Sequence, residues 1–322
     1  MNYIQQAYKG RNEWYWYVLT ILIVFVGWQF IGTIPLLVAA VLFSSDLDVF
    51  YKAAADNFMT LGMNKNLFLV LMILTFVMGL ITLFICVKKL HKRSIKTLIT
   101  SRKKIDWKRF WFAFLLWGGI ALVTPFASIY ASPETYTWNF KLVPFIILLG
   151  ISLLLLPLQT SFEELLFRGY FIQGLGILAK NRWIPLLVTS VSFGLLHLAN
   201  PEVTKLGYIS MVFYIGTGLF YGIVTLMDEG TELSLGLHAI NNIVAATLVT
   251  ADWVALQTDA LYIDYAEPSV NYEMFLPVLV LYPIMLVIFS KKYGWKNWKE
   301  KLTGEIKEPL PDNYRIMDID DE

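Results

Sequence analysis

The chain has 322 residues, of which 57% are hydrophobic, 16% aromatic and only 16% charged, with a formal net charge of +1. A soluble domain carries about a quarter of its residues as charges, so a chain this apolar cannot clothe itself for water; disorder, collagen-like repeats and a disulfide scaffold are excluded by the same numbers. The one cysteine, Cys86, has no partner for an intrachain disulfide, and the total charge carries no signature of nucleic-acid binding.

A helix that crosses ~30 Å of hydrocarbon needs about 20 apolar residues. In chain order, clear runs fall at 16–43, 67–87, 110–130, 142–158 and beyond, 208–227 and 274–290. Two less pure runs, 183–198 and 233–249, each contain a histidine. The expected fold is therefore an all-α integral membrane protein, a bundle of about eight transmembrane helices. Residues 1–290 form the membrane domain and 291–322 a partly ordered cytoplasmic tail to which no chemistry is assigned. The first run exceeds one perpendicular crossing and contains Gly27, Gly32 and Pro35, so a tilt or kink is expected there. It is too long for a cleavable signal peptide.

Orientation follows from Lys and Arg in short loops. Between the second and third runs lie Lys88, Lys89, Lys92, Arg93, Lys96, Arg102, Lys103, Lys104, Lys108 and Arg109 against a single acid, Asp106. Placing that loop in the cytoplasm puts both termini there too. Of the 26 basic residues, 22 then fall on the cytoplasmic side, counting Arg168, and only Lys52, Lys65, Lys141 and Lys205 lie outside. The loop 251–273 is acidic, with no base, as an exterior loop should be. The localisation expected is a multi-pass protein of the plasma (inner) membrane. One acidic cluster, Asp228, Glu229 and Glu232, sits awkwardly on the cytoplasmic side. The basic loop itself reads first as a topogenic signal at an anionic leaflet and second as a docking patch. His91, within it, reads as a solvated residue.

Ionisable residues inside spans cost enough to mark function. The fourth run continues into Glu163, Glu164 and Arg168. Glu164 and Arg168 are four apart and can pair on a helix, whereas Glu163 points about 100° away and is left unneutralised. His197 follows Phe193 by one turn, and His238 precedes Asn242 by one turn. A lone histidine in a span is usually an interhelical hydrogen bond; a glutamate pair, two histidines and an asparagine on three separate runs form a site. A carboxylate facing an imidazole can deprotonate water, and a His and an Asn one turn apart can donate to an oxyanion. The same set could hold zinc through Glu163, His197 and His238, although no HExxH pair is present and Asn is a poor zinc ligand. No GxSxG surrounds Ser161 or Ser192, so a serine nucleophile is disfavoured.

Glu163-Glu164-x-x-x-Arg168, Phe193-x-x-x-His197 and His238-x-x-x-Asn242, in this order, resemble the signature of the CPBP family of intramembrane proteases. That family includes Ras-converting CAAX prenyl endopeptidases and bacterial Abi or bacteriocin-processing and immunity proteins. The resemblance covers residues 142–249. It implies an eight-span bundle with a water-filled cavity opening toward the cytoplasm, and an endopeptidase that cuts near that side. Glu163 would be the general base, His197 its partner on the catalytic water, and His238 with Asn242 the oxyanion site. Glu164 and Arg168 would hold the motif helix. The family has been described both as metal-dependent and as metal-independent; Asn242 leans toward the latter, so no cofactor is required, with zinc admissible. The expected partners are the bilayer and a peptide or protein substrate, lipid-modified or membrane-anchored substrates being compatible.

Geometry strains this picture at one point. His197 lies fourteen residues beyond Trp183, ~21 Å along a helix entered from the cytoplasm, while Glu163 and His238 are expected near their cytoplasmic ends. Pro185 and a short loop at 172–182 would have to let the fifth span tilt or start within a funnel. The alternative function is a non-catalytic immunity factor or scaffold of the same fold. A proton- or ion-coupled transporter is third, disfavoured because no inverted repeat is visible.

Overall fold

The computed structural model describes residues 1–270 and 274–309. The chain is helical almost throughout, as its apolar runs require, because in hydrocarbon a helix satisfies its own backbone. Helix α1 (Trp14–Phe43) turns π-helical at Val26–Ile31, a stretch that contains Gly27 and is followed by Gly32, within the run for which a tilt or kink was expected. The short α2 (Leu47–Ala54) is capped by Asp46, whose carboxylate accepts from the Val49 N–H at 2.9 Å. Asn64 caps α3 (Lys65–Lys89) and Asp106 caps α4 (Trp107–Ala131) in the same way. Helix α5 (Leu142–Ala179) runs for 38 residues, with a break at Leu155 and a π-helical stretch at Leu165–Phe171. Then come α6 (Trp183–Leu195), α7 (Pro201–Leu206), α8 (Tyr208–Asp228), α9 (Glu232–Thr247), α10 (Tyr282–Tyr293) and α11 (Trp298–Thr303).

This is an all-α membrane protein. Among the described residues five helices, α1, α3, α4, α5 and α8, are long and apolar enough to cross a bilayer. The three remaining expected spans are also helical but shorter, so length and apolarity carry the count to five and not to eight. The expected loop at 172–182 is corrected: Ile172–Ala179 completes α5, and the turn begins only at Lys180, which adopts left-handed backbone with φ 54°.

The bundle has two distinct ends. At one, an antiparallel bridge joins Thr100 to Gly230 and another joins Asn181 to Glu305. The N-terminal turn Ile4–Lys9 and the tail dock there, with Tyr3, Ile4 and Ala7 fully buried and the Ile306 N–H donating to the Lys180 carbonyl at 2.9 Å. The expected tail is thus packed against the bundle as far as Ile306, with the Lys307 carbonyl accepting from Gln5; Pro311 and the terminal acids lie outside the described residues, as do residues 271–273 of the acidic loop. At the other end, three short strands, β1 (Tyr136–Trp138), β2 (Val249–Thr250) and β3 (Tyr262–Asp264), form a sheet in the order β1-β3-β2, antiparallel then parallel.

The first end is the basic one, and there the awkward acids find their partners. Asp228 pairs with Arg102 at 2.9 Å and with Arg109, and accepts from the Trp295 indole at 3.1 Å. Glu232 pairs with Arg102 at 3.1 Å, and Glu229 with Lys301 at 2.5 Å. Part of the basic loop is therefore an internal latch, a role neither sequence-based reading assigned it. His91 is likewise corrected: it is fully buried, with Nδ1 2.7 Å from the Arg11 carbonyl and Nε2 2.7 Å from the Tyr170 hydroxyl.

Candidate active site

Helices α4 and α9 approach closely because of Gly236, where a Cβ would stand 2.3 Å from the Phe110 carbonyl oxygen. That contact, and the packing of α9 on the middle of α5, brings His238 onto the glutamate pair. Its Nδ1 is 2.9 Å from Glu164 Oε1 and its Nε2 is 3.4 Å from Glu163 Oε2. With a carboxylate on each ring nitrogen, the imidazole can donate in both directions only as the imidazolium.

The Glu164–Arg168 pair expected from spacing is present, at 3.1 Å, with both side chains fully buried. Arg168 also donates to the Gly218 carbonyl at 3.2 Å, and its guanidinium lies over the Phe193 ring at 4.2 Å from the centroid. Phe193 therefore serves the first motif as well as its own: its ring carries Arg168, and its carbonyl is 2.8 Å from His197 Nδ1. That carbonyl accepts from the Nδ1–H, which leaves Nε2 as an acceptor in the neutral ring. His197 is stacked on Tyr214 with centroids 4.4 Å apart and planes at 21°.

Glu163 has no arginine, as its angular position foretold. It accepts instead from Gln159 Nε2 at 2.8 Å, and Gln159 Oε1 accepts from Asn242 Nδ2 at 3.0 Å. Gln159 thus ties the first motif to the third. It stands four residues before Glu163, so the helical period could have singled it out. Tyr214, and Asn200, which donates to its hydroxyl at 3.3 Å, come from elsewhere in the chain, with no local pattern to announce them.

All of Glu163, His197, His238 and Asn242 line a single cavity of about 310 Å³, together with Gln159, Asn200, Glu202 and Tyr214. Glu164 and Arg168 stand behind its wall. Glu202 reaches it from α7, with one oxygen on the Ala255 N–H at 2.8 Å; burial raises its carboxyl above the usual range. A second cavity of about 440 Å³ adjoins the first through Met72, Phe76, Asn200 and Ala255, and is walled by Asn57, Phe58 and Met59.

The strain foreseen in the depths is eased by the length of α5. Glu163 is sixteen residues before Ala179 and His197 fourteen after Trp183, so each stands ~20–25 Å from the turn that joins α5 to α6. This levels Glu163 with His197, whereas His238, six residues beyond Glu232, lies only ~9 Å along α9. The loop residues that line the site cavity, Asn200, Glu202, Ala255 and Leu256, and those that line the adjoining cavity at 57–59 and 199–201, come from the end opposite the basic loop.

As placed, the set expected to hold zinc does not fit it. Both nitrogens of His238 are occupied by carboxylates, and among the described residues no group of three or more His, Cys, Asp or Glu side chains gathers closely enough for a metal ion.

The family model described as type II CAAX prenyl endopeptidase Rce1-like matches residues 111–244, which spans all three motifs. The uncharacterized protein YyaK of Bacillus subtilis (strain 168) is 30% identical over 251 residues, which are 78% of this chain and 83% of that one. The chain belongs to this family. The match begins within α4, ahead of the 142–249 core suggested by the motifs, in keeping with the packing of α4 against α9. No solved structure matches the chain.

Proposed function

We propose that the protein is an intramembrane endopeptidase that hydrolyses a peptide bond with water activated by Glu163. The observation that carries this reading is the shared cavity, which brings a carboxylate lacking an arginine partner, an imidazole with an open Nε2 and a carboxamide to one water-sized to peptide-sized space. Glu163 takes the proton of the attacking water and returns it to the leaving amine as the C–N bond breaks, while His197 Nε2 orients that water from the stacked face of Tyr214. The oxyanion that forms on the substrate carbonyl is met by the second N–H of the Asn242 carboxamide, and by His238 Nε2 once it turns from Glu163, its longer contact, to the substrate oxygen. Glu164 and Arg168 touch no reacting atom; they hold His238 and the motif turn in position.

Cleavage of a peptide library by purified protein, wild type beside Glu163→Gln, tests the reading. A fall of at least ~10²-fold in the variant is expected, with wild-type cleavage unchanged by a strong chelator. Full cleavage by Glu163→Gln would remove the assignment. Loss of wild-type cleavage on chelation would place a metal in the reaction. A variant that cuts nothing yet keeps the full cellular phenotype would favour the scaffold reading.

A further inference from the structure

We infer that the candidate site opens on the extracytoplasmic face, so that its substrate is a peptide segment presented at the outer surface and not a cytoplasmic tail. The clause about substrate rests on the peptidase reading; the clause about orientation does not. Three independent features converge on it.

The first is charge. The end that bears the cavity's rim holds only Lys52, Lys65, Lys141 and Lys205, against Asp46, Asp48, Asp56, Glu134, Glu202, Asp252, Asp259, Asp264 and Glu267 among the described residues. The other end carries the basic loop and the basic turns at Lys180, Arg182 and 291–301. Such a bias sets the poorer end outside. The second is closure. Between the basic end and the site stand Tyr3, Leu98, Glu164 and Arg168, all fully buried. The Tyr3 hydroxyl bonds to the Leu98 carbonyl and lies 3.1 Å from the Arg168 carbonyl. A substrate arriving from that side would have to displace the N-terminal turn and break the latch. The third is position. His197 lies two residues past the end of α6 and Asn242 five before the end of α9, ~8 Å from it. Both are therefore near the rim made by the acidic loops.

The consequence is a restriction on substrate. A peptide has to reach Glu163 past Asn200 and the 57–59 loop, from the outer leaflet or the space beyond it. Exported peptides and the outer segments of membrane proteins satisfy this, whereas a cytoplasmic C-terminal tail does not.

Single cysteines with a membrane-impermeant maleimide decide the orientation. Cys86 is buried and serves as the silent background. Thr204→Cys, exposed on α7 at the rim, is expected to be labelled in intact cells, and Lys103→Cys, exposed in the basic loop, only after permeabilisation. The reverse pattern, or labelling of both from outside, overturns the inference. If either variant folds poorly, Ser45→Cys and Lys296→Cys, exposed at the same two ends, give the same readout. In sealed right-side-out vesicles, a soluble peptide library is expected to be cut when added outside and spared when enclosed. Cutting only of enclosed peptide overturns the inference. Absence of cutting on either side, with the labelling as expected, leaves the orientation standing and removes the peptidase reading.

Discussion

At the basic end the helices are tied together, and at the opposite end they part. Arg102, Arg109 and Lys301 are bound to Asp228, Glu229 and Glu232, the N-terminal turn is buried among them, and the tail crosses over the α5–α6 turn. At the rim, short strands and a six-residue helix border two adjoining cavities, one among α3, α5, α8 and α9 and the other between α1 and α3. The two glutamates of the motif divide along the same line. Glu164 faces inward to Arg168 and is sealed; Glu163 faces the cavity, held by neutral Gln159 and by His238. Adjacent residues on one helix are thus given opposite tasks by an angular separation of about 100°. The buried charges of one task, Glu164 and Arg168 with His238, are what fix the geometry of the other.

The comparison can be broken most severely at Arg168. Arg168→Met leaves Glu164 as a buried carboxylate facing only His238, and a loss of about 3–5 kcal/mol is expected, read as a lower unfolding temperature in detergent. Glu163→Gln, in the same turn of helix, is expected to melt close to wild type while losing cleavage. Equal destabilisation by both would erase the distinction between the sealed and the open glutamate. At the latch, Asp228→Asn weakens the partners of Arg102, Arg109 and Trp295 and should cost about 1–3 kcal/mol. Cleavage per folded molecule should survive, because the latch touches no residue of the cavity.

Gln159→Leu sharpens the comparison from the cavity side. It unties Glu163 from Asn242 without opening a buried charge, so kcat/KM should fall about tenfold, equivalent to ~1.4 kcal/mol, with little change in unfolding temperature. An unchanged kcat/KM would mean that the bridge does not position the base. The effect confined to the narrowest range of pH is expected at His91. Burial pulls its imidazole down to about 4, against the Arg11 carbonyl, which pulls the other way. The unfolded chain therefore binds more protons between about 4 and its ordinary value near 6.5. Stability should fall as pH drops through that window and be flat above it. His91→Gln should show a shallower fall in unfolding experiments across the same range.

The apolar runs and the three motifs were legible in the sequence because both are local. A helix in hydrocarbon is announced by twenty apolar residues, and Glu164 with Arg168 by a spacing of four. Even the solitary character of Glu163 followed from its angle on that helix. His91 was misread because its burial depends on Tyr170 and Arg11, which are distant in the chain. The acidic cluster at 228–232 looked misplaced because its partners arrive from the loop before α4 and from the tail.

The sequence by itself determined the solvent, the helical class, the charge asymmetry between the two ends and the residue types of the site, since each of these is a property of one short segment or of a sum over segments. Tertiary structure alone decided that α5 runs on to Ala179 and so brings Glu163 level with His197. It alone decided that His238 bridges both glutamates, that Gln159 and Tyr214 join the site, and which loops line the cavity. These depend on where helices cross and how far each continues before turning, which close contacts such as Gly236 against Phe110 fix through packing between segments far apart in the chain.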